Sequence, residues 1–527
     1  NRFALICCLL FFLTGVVWVW RPGIQADEAL FGAGIYKPFW DSDAKVRVFG
    51  HDYSLMVMSY VGTLKARIWS PVFRFLGVSA GTIRIPALVI GTLSVWWFYR
   101  LLLRTLGTRA AVAGCALLAT DSLYLLTIKW DWGPVALQHT LLIGGLLAIV
   151  AWKQEGKLLL LGLGFFAFGL AMWDKALFIW SLVGLTAATA VVFPRALRTS
   201  VTPLTLAVAG GCFLVGAAPL IIYNVRQDFV TFRSNAIRTT EDLKYKVTLL
   251  QDTVDSSAMF GLVVRNDWEQ PVRTPDKMLE IGTVKLSEIT GNPRHNLQLW
   301  LVVISVAALP LFWTTPYRKA VQFALVFAVV TWAQMASAQN GGTSVHQTIL
   351  LWPMPALIAA AGIAAMADRA ERPWRLVGVI TTVAMLGGLL VTSAYYRDVL
   401  RSGGTTAWTE AIYGAAKYLK ERKPKEIFIM EWGLFDNLRV LGKGQFKLAI
   451  ASDPEANSLE NRAAAQQISD PENVFVTHTA GNETEPGRTA RIVRYAETLG
   501  YRRSETKRFA DTNGRPMIEI LSFERQQ

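Results

Sequence analysis

Ten stretches of largely apolar sequence near bilayer length run through this chain, at 84–106, 110–128, 134–152, 157–173, 176–193, 202–223, 297–313, 320–332, 348–366 and 376–394. A helix crosses the hydrocarbon layer with about 20 such residues, and only helices and closed barrels satisfy their own backbone polar groups there. Adding the run 3–20 predicts about eleven spans, a polytopic α-helical membrane protein rather than one large soluble globule. The 3–20 run lacks a basic start and an Ala-x-Ala-like exit, so it reads as a membrane helix and not as a removed signal peptide.

The short connectors set the orientation. Alternate ones carry Arg100, Arg104, Arg109, Lys153, Lys157, Arg195, Arg198, Arg318, Lys319, Arg369, Arg372 and Arg375 against Glu155, Asp368 and Glu371. Basic excess marks the cytoplasmic side. Segments 21–83 and 224–296, the turns at Lys129, Lys175 and 338–347, and everything beyond Tyr395 are then expected outside. The expected setting is a bacterial inner (plasma) membrane, with these parts facing the periplasm or the exterior. The formal charge of +14 is accounted for in part by those cytoplasmic borders, and nucleic acid is not called for. Cys7, Cys8, Cys115 and Cys212 lie in apolar runs, which indicates neither a disulfide framework nor a zinc cluster.

Outside the membrane, Tyr60, Trp69 and Phe73 alternate with Lys65, Arg67 and Arg74, which predicts a surface-lying amphipathic helix or helix pair within 54–75. Segment 224–296 reads as helical and irregular, broken by Pro271, Pro275 and Pro293, and suited to cap a cavity. Its basic residues, Lys246, Arg265 and Arg273 among them, are candidates for lipid or sugar phosphates. After 401–404 the composition becomes that of a soluble protein, with helices expected at 408–420 and 491–499 and strands at 426–431, 473–477 and 517–523. The division expected is a membrane domain, 1–395, and a small extracytoplasmic α/β domain, 396–527.

Chemistry-bearing residues gather on the outer side. Asp27 and Glu28 follow the first run, where a carboxylate at a membrane interface can take a proton from an acceptor hydroxyl or amine, or simply end the span. Lys129, Trp130, Asp131 and Trp132 form a compact turn in which the charges must pair or meet ligand, and the indoles are sugar-stacking faces or interface anchors. Lys175, beside Asp174, and Arg84 suit a phosphate, with snorkelling as the alternative. His51 and His346 fall on the same side as candidate substrate contacts. No HExxH or comparable spacing exists, and a metal is assigned to none of these residues. Ionisable groups at one interface, rather than at mid-bilayer, favour surface chemistry over an ion pathway.

The order of these elements resembles the integral-membrane glycosyltransferases of GT-C fold, especially the bacterial branch of protein O-mannosyltransferase-like and lipid A aminoarabinose transferase-like enzymes. The resemblance covers roughly 1–395. It rests on Asp27-Glu28 after the first run, the amphipathic outer segment, Gly77 followed by Arg84-Ile85-Pro86, Asp131 after the third run, and Gly169 leading to Lys175. It implies a polyprenyl-phosphate-linked sugar donor and direct attack of the acceptor on the sugar C1 with inversion. Asp27 would be the base, supported by Glu28, with Asp131 as a further outer acid and Lys175 and Arg84 neutralising the phosphate. The acceptor, whether protein, lipid or glycan, stays open, as does a protein partner at the C-terminal domain. Oligosaccharyl-transferring relatives use a divalent cation whereas this branch generally does not, so no cofactor is required and a cation is left open. Asp174 before Lys175 and the Trp-Asp-Trp turn depart from the family pattern. A lipid or solute transporter (flippase) and a non-catalytic membrane scaffold are the competing classes.

Overall fold

The computed structural model describes residues 1–36, 45–48, 50–235, 237–239, 241–266, 268–269 and 271–526. Every apolar run becomes helix, but the helices are unequal. Six are long and apolar enough to cross a membrane alone: Ala80–Thr105, Val135–Glu155, Pro203–Arg226, Pro316–Ser337, Val345–Ala367 and Pro373–Arg401. Two bent pairs, Thr108–Thr120 with Ser122–Lys129 at 54° and Phe178–Val192 with Pro194–Ser200 at 106°, raise this to eight. The remaining three runs form the shorter apolar helices Arg2–Val16, Leu158–Asp174 and Gln298–Ala307. The count of eleven full spans is therefore revised downward, while the multi-pass membrane architecture stands.

The first bend has a clear cause. Asp121 sits in the break, its Oδ1 accepting the Tyr124 amide at 2.9 Å to start the second half, and its Oδ2 accepting the Trp352 indole N–H at 2.8 Å. Helices approach closely where side chains are small. A Cβ at Gly169 would fall on the Phe213 carbonyl oxygen, and one at Gly216 would lie 2.5 Å from the Phe166 carbonyl oxygen.

The basic connectors gather at one end of the bundle. Arg104 reaches Glu155 at 3.0 Å, Arg109 pairs with Asp368, Lys153 meets the Ser200 hydroxyl at 2.7 Å and Tyr317 donates to Asp368 at 3.0 Å. At the opposite end lies segment 21–83, where the amphipathic helix expected within 54–75 forms but is preceded by strands that were not expected. An antiparallel hairpin pairs Lys45–Val48 with His51–Ser54, a smaller one pairs Met56–Met58 with Val61–Gly62, and only then does the amphipathic helix Leu64–Leu76 begin. That helix buries Lys65, Ala66, Trp69 and Phe73, one face at helical spacing. Segment 224–296 supplies the helices Val230–Asn235, Leu243–Val254 and Met278–Ile289, with the prolines between them.

The chain beyond 401 carries a five-stranded sheet flanked by the helices Ala411–Arg422, Phe435–Leu441, Ser458–Ser469 and Arg488–Thr498. Strands Leu448–Ile450, Ile427–Ile429 and Val474–His478 run parallel; Pro516–Arg525 then pairs antiparallel with Val474–His478, and Tyr501–Ala510 closes the far edge. Leu448–Ile450 and Tyr501–Ala510 were not expected. The first is three residues long, and the second presents Arg502, Arg503, Lys507 and Arg508, charges that protect an edge strand from further pairing and hide its period. The apolar core is continuous from the membrane helices through Trp130, Trp132 and Trp408 to Ile412, Ile427 and Val474.

Helix contact through glycine makes a measurable prediction. Gly169→Ala should destabilise the detergent-solubilised protein by about 1–3 kcal/mol, read as a lowered Tm. Gly210→Ala, on the helix Pro203–Arg226 where a Cβ meets nothing within 4 Å, should leave it unchanged or slightly raised.

Candidate active site

Asp27 stands on the four-residue helix Ala26–Ala29, which leaves the first membrane helix through a tight path. Gln25 caps it: its Oε1 accepts the amides of Asp27 at 2.6 Å and Glu28 at 3.2 Å, while Glu28 Oε2 accepts the Gln25 amide at 3.3 Å. The Trp132 indole N–H donates to Asp27 Oδ2 at 3.0 Å. Asp27 remains only half-buried, so one carboxylate oxygen is fixed by an indole while the group keeps access to the outside.

Glu28 is its opposite. It is fully buried and accepts Arg84 Nε at 2.6 Å and Nη2 at 2.9 Å, a two-pronged ion pair. Arg84 spends its remaining donors on the carbonyls of Val19 at 2.8 Å, Pro22 at 2.9 Å and Gly23 at 3.2 Å. A guanidinium has five N–H groups, and all five are engaged. The phosphate role expected of Arg84 is therefore corrected: it holds the chain rather than a ligand.

The 129–134 turn behaves similarly. Lys129 is buried, donates to the Val17 carbonyl at 2.8 Å and lies over the Tyr396 ring at 4.4 Å. Trp130 is buried, donates to the Arg21 carbonyl at 3.3 Å and packs on Trp408 with ring centroids 5.7 Å apart. Neither offers a face to substrate. Asp131, at φ +38°, is buried with Oδ1 accepting the Ala136 amide at 2.9 Å and Oδ2 in an ion pair with Lys65 Nζ at 2.5 Å. Lys65, read from sequence only as a polar position of an amphipathic helix, is thus its counter-ion, 2% exposed beside the Phe31 and Trp69 rings.

Trp132 and Gly133 connect the turn to the remaining candidates. The Trp132 ring packs on His346 at 4.8 Å and edge-on to Trp408 at 5.9 Å. Gly133 accepts Lys175 Nζ at 3.0 Å, and at φ +73° a Cβ there would lie 3.0 Å from His346 Cδ2 and 3.1 Å from Lys175 Nζ. Lys175 lies between the helices Leu158–Asp174 and Phe178–Val192, its backbone bridged to Val61. Burial pulls its ammonium down to about 8, against the opposing pull of Asp27, Asp174 and Asp131. His346 Nδ1 meets the Ser344 hydroxyl at 2.9 Å. His51 opens a hairpin strand, and its side chain lies outside the described residues.

Sequence reasoning missed three contributors besides Lys65: Gln25, Trp408 and Asp436. The last sits on Phe435–Leu441, which packs against the Asp27 segment with the Asn437 amide N–H on the Ile24 carbonyl at 3.2 Å. Burial pushes its carboxyl up to about 6, Arg439 at 2.9 Å opposing and the Asp27 charge reinforcing the rise. No local signal marks the helix Phe435–Leu441 as a neighbour of Asp27. Of the basic residues expected to meet phosphates, Lys246 is occupied by the Ala336 and Ala338 carbonyls at 2.9 Å and Arg273 by Glu280 at 2.8 Å. Among the described residues no group of three or more His, Cys, Asp or Glu is arranged to hold a metal ion.

Removing one partner of a buried pair leaves the other charge uncompensated. Glu28→Gln should therefore cost about 3–5 kcal/mol of stability, measured as the loss of Tm in detergent, and Arg84→Lys, which keeps the opposite charge, should still lower Tm because an ammonium cannot reach three carbonyls and two carboxylate oxygens together.

No protein-family model and no curated protein matches this sequence. Solved structures do. ArnT from Cupriavidus metallidurans bound to undecaprenyl phosphate superposes with a TM-score of 0.58 at 13% identity, over 98% of this chain and 97% of that one, and its apo state with 0.55. The apo oligosaccharyltransferase of Archaeoglobus fulgidus superposes with 0.53 at 11% identity, over 90% of this chain and 69% of that one. Both are GT-C glycosyltransferases. What this chain shares with them at such identities is the architecture, and that architecture is the GT-C fold.

Proposed function

We propose that this protein is a membrane glycosyltransferase that moves a sugar from a polyprenyl-phosphate donor to a protein, lipid or glycan acceptor on the extracytoplasmic face. The observation that carries the reading is the pairing of one accessible carboxylate with one ammonium through neighbouring residues: Trp132 fixes Asp27 and Gly133 fixes Lys175. In this reading Asp27 accepts the proton of the acceptor hydroxyl or amine as it attacks the sugar C1. The bond from C1 to the donor phosphate breaks, the configuration inverts, and polyprenyl phosphate leaves. Lys175, with two N–H groups beyond the one on Gly133, stabilises the charge gathering on that phosphate. Glu28 with Arg84, and Asp131 with Lys65, are assigned as the frame, Lys129 and Trp130 as its packing, and His346 as a side wall.

Two considerations support the donor and the face. The GT-C fold is shared with ArnT, whose structure holds undecaprenyl phosphate. The basic connectors lie at the end opposite Asp27, and under the positive-inside rule this supports an outward-facing site, the arrangement expected in a bacterial inner membrane. The region from 396 onward, packed on the Asp27 segment, is assigned to acceptor recognition. No step is routed through a metal ion.

The test is release of polyprenyl phosphate from a panel of polyprenyl-phosphate sugars in nanodiscs, with membrane extract as acceptor. Asp27→Asn should reduce release by at least about 100-fold with Tm unchanged; wild-type release that survives Asp27→Asn sinks the assignment. Lys175→Met should raise the donor KM. Because the Lys175 ammonium is charged below about 8 and neutral above it, donor affinity should fall as pH rises through that value. Lys175→Arg should abolish that fall.

A further inference from the structure

We infer that the crevice between the helices Ala80–Thr105, Val135–Glu155 and Leu158–Asp174 is a binding site for an anionic glycerophospholipid, its phosphate on Arg100 and an acyl chain along the crevice. The crevice holds about 560 Å³ and is lined by Trp97, Gly144, Leu163 and Phe166 among other apolar groups, with Arg100 and Arg104 toward one end. Its floor exists because residue 144 is glycine: a Cβ there would lie 2.5 Å from the Trp97 ring, which rests on the bare backbone.

Charge identifies the occupant. Arg104 is satisfied, donating to Gln154 Oε1 and Glu155 Oε1 at 3.0 Å each, and this clamp closes the connector end. Arg100, one turn deeper, has no hydrogen-bond or ion-pair partner among the described residues, and its Nε is buried. Counting Arg100, Arg104 and Glu155, the crevice carries one uncompensated positive charge. A guanidinium so placed is matched by a phosphodiester, which brings one negative charge and oxygens for its fork. A zwitterionic headgroup would bring a cation to the same spot. The dimensions agree: Thr140 to Ala151 spans about 16 Å of helix, close to the roughly 15 Å depth of one leaflet. Its phosphate end, at Arg100, is at the basic-connector end of the bundle, opposite the end that carries Asp27 and Lys175, and this sets it apart from the donor phosphate position proposed above.

Native mass spectrometry of the full chain in detergent, titrated with phosphatidylglycerol or phosphatidylcholine, tests this. Wild type should retain phosphatidylglycerol with a preference of about fivefold over phosphatidylcholine. Arg100→Gln should lose that preference, whereas Arg100→Lys, and Arg318→Gln at the same end but outside the crevice, should keep it. Equal retention of the two lipids by wild type overturns the proposal, as does undiminished preference in Arg100→Gln. Displacement of phosphatidylglycerol by undecaprenyl phosphate would overturn it too, by assigning the crevice to the donor lipid.

Discussion

The ion pair between Glu28 and Arg84 is the interaction on which the rest of the site is built. Where the chain leaves its first helix, the carbonyls of Val19, Pro22 and Gly23 belong to no regular ladder, and irregular backbone near a membrane must find its partners within the protein. Arg84 supplies them all from a rigid helix and returns its charge to Glu28. Against a well-packed apolar replacement such a pair contributes roughly nothing, or costs about 1–4 kcal/mol, because desolvation offsets attraction. What it sets is a path. The path delivers Asp27, the residue just before Glu28, to the Trp132 indole.

Two adjacent acids therefore do different things for reasons visible in their surroundings. Glu28 has every oxygen engaged and no exposure; Asp27 has one oxygen on an indole and keeps its access. The same division recurs in the turn. Asp131 takes a left-handed backbone, tolerable for a short polar side chain, and is neutralised by Lys65, while Trp132 and Gly133 beside it hold Asp27 and Lys175. Two buried ion pairs thus fix the geometry, and the Asp27 carboxylate is left outside both.

Much of this was legible in the sequence. Apolar runs marked the helices, connector charge marked the two ends, and the clustering of Asp27, Trp132, Lys175 and His346 on one side is what the fold brings together. The pairings were not legible, since a lone Arg or Asp at an interface reads alike whether it meets ligand or another side chain; Arg84 and Asp131 were settled only by partners 56 and 66 residues away along the chain. The hairpins were hidden by their shortness, and the length of each span was not legible because the apolar runs at 3–20, 157–173 and 297–313 form helices of only 10–17 residues.

The C-terminal region belongs to this logic rather than standing beside it. Trp408 packs against both Trp130 and Trp132, its carbonyl accepts the Gly23 amide at 3.1 Å, and Phe435–Leu441 lies against the Asp27 segment. The ring that orients Asp27 is thus wedged between His346, at the start of the helical stretch Val345–Ala367, and Trp408 from the C-terminal region. A displacement of either side moves the same indole, and with it the hydrogen bond that fixes Asp27. Docking of the C-terminal region is in this way coupled to the geometry of the carboxylate, through packing that is too dense to absorb a shift.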